Sequence, residues 1–235
     1  MHNLAIIPAR SGTKGLKDKN IKQLDGKPLL AYTIEAALDS GMFAEIHVST
    51  DSNDYAEVAK EYGAKVPFLR PVELATDESD TWETVRYVIK TYKSLGWKFD
   101  TIALLQPTSP LRRATHIKEA YNLYIKNNAN SVMSVCEVEH SPLWSNVLPE
   151  NFSLKDFILP ENDLRRQDLP TYYRQNGAIY IEDVDLIINR GNLLGDASYA
   201  YIMDKRSSID IDDDIDFAIA ELLLKNTVTK IKNCQ

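Results

Sequence analysis

The chain has 235 residues, 44% of them hydrophobic and 26% charged, and a formal net charge of −7. This is enough apolar material for the core of one large domain, and the acidic balance argues against bulk binding to nucleic acid or an anionic membrane. No apolar run reaches transmembrane length, the N-terminus lacks the apolar stretch of a signal peptide, and the two cysteines, Cys136 and Cys234, lie far apart without a CxxC pattern, so the expected compartment is the cytoplasm.

Residues 4–7, Leu-Ala-Ile-Ile, are a short continuous apolar run, the pattern of a strand buried on both faces. A basic, glycine-containing loop follows. Residues 28–38 then show helical spacing, with Pro28 suited to the first helical position and Gly41 to the stop. Residues 45–50 are expected to be a strand, and Asp51-Ser52-Asn53 can cap a helix over 54–62 that Gly63 ends. The order continues with a short strand at 66–69, a helix at 81–95, a buried strand at 101–105, a helix at 115–127 and a strand at 131–138. This alternation predicts a mainly parallel sheet covered by helices.

Between 139 and 170 the alternation stops, and Pro142, Pro149, Pro160 and Pro170 punctuate the segment. An excursion is expected here, a lid or an oligomer arm, with Trp144, Phe152 and Phe157 buried. Strands return at 177–181 and 199–203, followed by a helix at 215–224. The organisation expected is one domain over 1–235 carrying the 139–170 excursion.

Four stretches carry candidate chemistry. From Arg10 to Lys22 there are five positive residues against one negative, Asp18, in a chain of opposite overall charge. Gly12 and Gly15 would let backbone N–H groups approach an anion, and a strand-to-helix loop in an open parallel sheet sits at the ligand-binding carboxyl edge. Polyphosphate binding and a solvated lysine-rich loop both remain open, and neither a GxxxxGK[ST] nor a GxGxxG pattern is present. In Ser208-Ile209-Asp210-Ile211-Asp212-Asp213-Asp214, strand alternation would put Asp210 and Asp212 on one face, where a divalent cation would relieve their repulsion. Asp213 and Asp214 equally suit the cap of the last helix. Gln106-Pro107-Thr108-Ser109-Pro110 ends a buried strand as a rigid polar loop or a plain turn. Arg165-Arg166 and Tyr173-Arg174-Gln175-Asn176-Gly177 offer carboxylate-binding arginines and a turn. His2, His47, His116 and His140 are scattered, which suggests neither a histidine metal site nor a triad.

Taken in order, Ile7-Pro8-Ala9-Arg10-Ser11-Gly12-Thr13-Lys14-Gly15-Leu16-Lys17-Asp18-Lys19-Asn20 resembles the signature of the acylneuraminate cytidylyltransferases, the CMP-sialic acid synthetases. The likeness continues through Gly26-Lys27-Pro28-Leu29, Ser49-Thr50-Asp51, Arg70-Pro71, Leu74-Ala75-Thr76-Asp77, Gln106-Pro107-Thr108-Ser109-Pro110, Asn176-Gly177-Ala178-Ile179 and Ser208-Ile209-Asp210-Ile211-Asp212. The Arg-Leu-Pro-Gly-Lys pattern of the related CMP-Kdo synthetases is absent.

The resemblance implies a Rossmann-like three-layer α/β fold of the nucleotide-diphospho-sugar transferase kind, with a mainly parallel sheet and a protruding dimerisation arm. It implies a homodimer that uses Mg²⁺ to join CTP to a nine-carbon 2-keto sugar acid, releasing pyrophosphate. By the same resemblance Arg10 and Lys19 would contact the triphosphate and act in catalysis with Asp210, while Ala9, Gly12, Thr13, Lys14 and Asn20 shape the cradle. Arg70, Ser79 and Thr81 would lie beside the nucleoside, and Asp210 and Asp212 would hold the metal. Gln106, Arg166, Asn176 and Tyr180 would lie toward the sugar. Many relatives have Pro before the Asn-Gly pair where this chain has Gln175, which leaves the particular nonulosonic acid open, N-acetylneuraminic or legionaminic. Outside this resemblance stand a non-catalytic nucleotide-binding module and an interaction protein working through its excursion. The paired aspartates and the complete basic loop would be unnecessary in the first, and the second would show no CTP-dependent rise in melting temperature with Mg²⁺.

Overall fold

The computed structural model describes residues 1–12, 16–189 and 193–232. The first strand, β1 (Asn3–Pro8), is buried along nearly all its length because successive side chains feed two cores. Ala5 and Ile7 join Leu30, Ile34, Ile117 and Tyr121 on one side. Leu4 and Ile6 join Val85, Val88, Tyr92 and Ile102 on the other. A continuous apolar run is what such a central strand requires.

After the basic loop comes a hairpin that the sequence reading passed over, β2 (Gln23–Leu24) and β3 (Lys27–Pro28). Its turn is Asp25-Gly26, both at positive φ (46° and 88°), a pairing that tight hairpins favour. Helix α1 (Leu29–Ser40) starts directly after it. Pro28 is the residue before the first turn, not in it, and Gly41 closes the helix at φ 60°. Strand β4 (Glu45–Ser49) leads to α2 (Asn53–Glu61), where the Ser52 hydroxyl accepts from the Tyr55 N–H. A cap of this kind contributes about 1 kcal/mol.

The strand expected at 66–69 does not form. One bridge between His47 and Lys65 is all that pairs there, and Pro67 beyond it has no N–H to offer a ladder. The remaining elements follow the expected order: α3 (Thr81–Ser94), β5 (Thr101–Leu104), α4 (Ala114–Lys126), β6 (Ser131–Glu137), β7 (Tyr173–Asp183), a short α5 (Val184–Ile188), β8 (Ser198–Met203) and α6 (Asp214–Lys232).

The main sheet runs β4-β1-β5-β7-β6-β8. β1 is parallel to β4 and β5, and β6 is parallel to β8. β7 alone is reversed, antiparallel to both β5 and β6. Helices α1, α2 and α4 pack on one face and α3 and α5 on the other, which gives three layers.

The reversal of β7 explains the excursion: residues 138–172 are the loop of one long hairpin, whose ladder is extended by Val138 N–H donating to the Tyr172 carbonyl (3.0 Å). The loop contains only short 3₁₀ turns, at Pro142–Trp144, Pro160–Asn162 and Arg166–Asp168. Trp144 is half-buried and its indole N–H donates to the Asn162 carbonyl (3.0 Å). Phe157 is half-buried, but Phe152 is 76% exposed, against the expectation of burial. Too few residues of the loop fold back on one another to cover its apolar side chains. Val147, Leu148 and Leu154 are exposed with Phe152. Cys136 is a buried free thiol, and Cys234 lies outside the described residues.

Candidate active site

A cleft of about 430 Å³ opens where β1 and β5 end. It is lined by Arg10, Lys19, Asn20 and Arg70 from one side and by Gln106, Thr108, Asp210 and Asp212 from the other. The carboxyl edge of a parallel sheet is where strand ends leave their backbone groups free and their following loops converge.

The cationic side is held by the protein's own acceptors. Ser11 donates from its N–H and its hydroxyl to Asp51 (2.8 and 2.7 Å), which fixes the start of the basic loop. Burial, the largest influence, would raise the Asp51 pKa; these two bonds, its own backbone N–H and the Arg70 charge together hold the carboxyl below its ordinary range. Gly12 takes φ +68°, a backbone that favours glycine, as the chain leaves β1. Ala9 is fully buried and its N–H donates to the Ser49 carbonyl (2.9 Å). Thr13 and Lys14, with Gly15, lie outside the described residues.

Arg10 donates to Asp77 (2.5 Å) and to the Ala75 carbonyl (3.4 Å). Lys19 donates to the Ile211 carbonyl (2.6 Å) and lies 3.7 Å from Asp212. Asn20 is buried and donates to the Arg10 carbonyl (3.3 Å), tying the loop to itself. Arg70 is buried against Ser49, donating to its carbonyl (2.6 Å) and hydroxyl (3.1 Å). Burial lowers its pKa to about 10, which leaves it charged at neutral pH. Ser79 and Thr81 line the cleft beside it.

Residues 209–212 are extended but do not form a strand: they join the turn Arg206–Ser208 to α6. The expected alternation nonetheless holds. Ile211 is buried with Leu24, Leu29 and Phe217, while Asp210 and Asp212 both line the cleft. The segment is clamped to the Gln106 loop by the Ile211 N–H donating to the Thr108 carbonyl (2.8 Å). Burial, the largest influence, raises the Asp210 pKa, with the Asp212 charge adding to it and Thr108 opposing. Asp210 Oδ1 is buried without a partner. Asp213 caps α6, accepting from the Ile215 and Asp216 N–H groups (2.8 and 3.0 Å), so the cap reading holds for Asp213 and the cleft takes the other pair.

The residues assigned to the sugar separate. Gln106 lies in the cleft. Tyr180 is not among the residues that line the cleft: it is half-buried, its ring edge-on to Trp82 at 6.2 Å, and burial first and Asp210 second raise its hydroxyl pKa. Arg166 is not in the cleft: it lies on the excursion with its Nη2 3.6 Å from Glu137. Asn176 is not presented to the cleft either. It is 1% exposed; its Oδ1 accepts from Ser134 (2.6 Å) and the Ala178 N–H (3.2 Å), and its Nδ2 donates to Ser208 (2.9 Å). It ties β6 to Ser208, the last residue of the turn before the segment that carries Asp210.

Asn176-Gly177 is also no turn between elements. It sits within β7 at a bulge, where pairing jumps from Met133↔Tyr180 to Val135↔Gln175. Gly177 there takes φ +73°, and a Cβ on it would come within 2.5 Å of Gln106 Oε1 and 3.4 Å of Asp210 Oδ2.

Three residues with roles here were passed over or quoted without a role: Asp77, Thr108 and Arg112. Arg112 is 2% exposed and donates to the carbonyls of Gln106 (3.1 Å) and Ala178 (2.8 Å), joining the two backbones that flank Gly177. Its position six residues after Gln106 gave no sign of this.

The three-layer sheet, with a basic loop and paired carboxylates facing each other at one edge, is that of the α/β nucleotidyltransferases. The structure of CMP:2-keto-3-deoxy-manno-octonic acid synthetase complexed with CTP shares the fold at a TM-score of 0.74 and 16% identity, covering 97% of this chain and 100% of that one. The sequence profile of the family described as Cytidylyltransferase matches residues 4–223, and the chain belongs to that family.

Among its relatives, the N-acylneuraminate cytidylyltransferase of Escherichia coli O18:K1:H7 is 44% identical over 92% of this chain and 51% of its own length. The CMP-N,N'-diacetyllegionaminic acid synthase of Legionella pneumophila is 40% identical over 96% of this chain and 97% of its own. The chain spans about half the length of the N-acylneuraminate cytidylyltransferases it matches. Among the described residues no helix is long and apolar enough to cross a membrane.

Proposed function

We propose that this chain transfers CMP from CTP to the anomeric 2-hydroxyl of N-acetylneuraminic acid, giving CMP-sialic acid and pyrophosphate. The observation that carries this reading is one cleft with Arg10, Lys19 and Arg70 opposite Asp210 and Asp212. Charge that develops on the phosphates during displacement meets fixed donors there, which favours the transition state over the ground state.

In this reading Arg10 and Lys19 hold the triphosphate, and Arg70, Ser79 and Thr81 flank the nucleoside. Gln106 faces the sugar. Asn176 and Thr108 fix the segment on which Asp210 stands. Asp210 and Asp212 would hold Mg²⁺, and the buried Asp210 Oδ1 without a partner suits a cation. When bound, that ion supplies charge neutralisation and acidifies a nearby hydroxyl.

The exposed apolar side chains of the excursion, Val147, Phe152 and Leu154 among them, suit coverage by a second copy, and a homodimer is part of the proposal. A cytoplasmic location is likewise part of the proposal.

A second reading keeps the chemistry and changes the sugar to a legionaminic acid, because the Legionella relative matches end to end. The test is pyrophosphate release from CTP and Mg²⁺ with N-acetylneuraminic acid, N,N'-diacetyllegionaminic acid and Kdo in parallel. We expect the highest kcat/KM with N-acetylneuraminic acid. A higher value with the legionaminic acid selects the second reading, and turnover with Kdo alone overturns both.

A further inference from the structure

One short segment occupies two of the cleft's arginines. Arg10 Nη2 donates to Asp77 Oδ1 at 2.5 Å and its Nη1 to the Ala75 carbonyl at 3.4 Å. Arg70 Nη1 donates to the Leu74 carbonyl at 3.5 Å. The segment is braced independently of these contacts, since Ser79 Oγ donates to the Glu73 carbonyl and accepts from the Thr76 N–H, both at 3.1 Å. Asp77 therefore stands in the cleft on its own support, lining it apart from Asp210 and Asp212.

The side chains of Arg10 and Asp77 are 27% and 30% exposed, so their attraction is less screened than that of a fully surface pair. A phosphate arriving at Arg10 needs the donor that Asp77 holds. It also brings negative charge against the Asp77 carboxylate. Both effects oppose binding, by an amount that falls equally on every anion using Arg10.

We propose that Asp77 is an internal counter-anion on Arg10 that weakens every phosphate ligand alike, so that free pyrophosphate or phosphate is held poorly while a nucleoside triphosphate, with further contacts, is still held. The inference rests on the reading of this cleft as a triphosphate site. A triphosphate attached to a nucleoside has contacts beyond Arg10 to offset the exchange, whereas a free anion has little else. The consequence is a site that empties of its inorganic product.

The experiment is calorimetric titration of the full chain and of Asp77→Asn with inorganic pyrophosphate, CTP and cytidine, at fixed Mg²⁺ and ionic strength. Asp77→Ser is carried in parallel in case the asparagine variant fails to fold, with circular dichroism on each. We expect both variants to bind pyrophosphate and CTP about three- to tenfold more tightly, the scale of one partly exposed ion pair. Cytidine binding should not change, and product inhibition by pyrophosphate should strengthen by the same factor. A purely structural role would not tighten anion binding. Equal or weaker pyrophosphate binding by a folded variant, with wild type binding CTP, overturns the role of Asp77 alone, and so does a gain shared by cytidine. Wild type binding neither CTP nor pyrophosphate overturns the triphosphate reading and this inference with it.

Discussion

The two walls of the cleft differ in how completely they are satisfied. On the basic wall each described cation already has an acceptor: Arg10 has Asp77, Lys19 has the Ile211 carbonyl and Arg70 has Ser49. On the acidic wall Asp210 Oδ1 is buried without a partner. The difference teaches that an anion entering here must exchange places with protein groups, whereas a cation entering here fills a gap. Burying an unpaired carboxylate oxygen costs on the order of a few kcal/mol, and a fold retains such a cost where a ligand relieves it.

The strongest way to break this contrast is at its least satisfied atom. Asp210→Asn should lower turnover by about a thousandfold or more, on the scale of losing a central electrostatic group. Its melting temperature should stay level or rise, because the unpaired charge is gone. Pyrophosphate release and a thermal melt read the two effects, and a variant with wild-type rates would remove Asp210 from the metal site.

Next comes the point where the walls meet. Gly177→Ala places a methyl 2.5 Å from Gln106 Oε1 at a backbone of φ +73°. We expect a stability loss of about 1–2 kcal/mol from the backbone alone. Displacing Gln106 should also lower turnover by about tenfold or more, through misplacement of a positioned group. Denaturant melts and initial rates separate the two. Unchanged rates would show that Gln106 does not hold substrate.

The smallest effect sharpens the contrast by placing a second unsatisfied carboxylate far from the cleft. Glu182 lies near the opposite end of β7, 2% exposed, with Ser131 on one oxygen and no partner on the other. Burial raises its pKa from 4.5 to about 8. A carboxyl raised on folding binds its proton more tightly in the native state. Its stabilising contribution is complete below about pH 4.5 and is lost as pH rises toward 8. Glu182→Gln should therefore match wild type near pH 4.5 and exceed it at pH 8 and above, by about 1–2 kcal/mol. Thermal melts across that range check it, and a pH-independent gap would contradict the assignment. Turnover at neutral pH should not change.

Much of this was legible in the residues. The run at 4–7, the cap at Ser52, the stop at Gly41 and the opposition of the basic loop to Asp210 and Asp212 follow from local patterns, and local patterns are what a sequence displays. The direction of β7 was not legible, because an apolar strand reads alike in either sense. Asn176 was misplaced for a related reason: an Asn-Gly pair announces positive φ, and only the register of β6 against β7 shows that it makes a bulge. Arg166 was assigned to the sugar by resemblance, while its pairing with Glu137 depends on where a 35-residue loop, 138–172, turns back. Asp77 and Arg112 became visible only once long-range neighbours were known.

The reversed strand has one more consequence. Because β7 runs against its neighbours, the chain returning from the excursion enters the sheet at the carboxyl edge. Tyr173, Arg174 and Gln175 pair in turn with Glu137, Cys136 and Val135, and the next two residues are Asn176 and Gly177. The excursion and the bulge that packs against Gln106 and Asp210 are thus two ends of one ribbon. Three paired residues are all that separate the end of the excursion from the bulge.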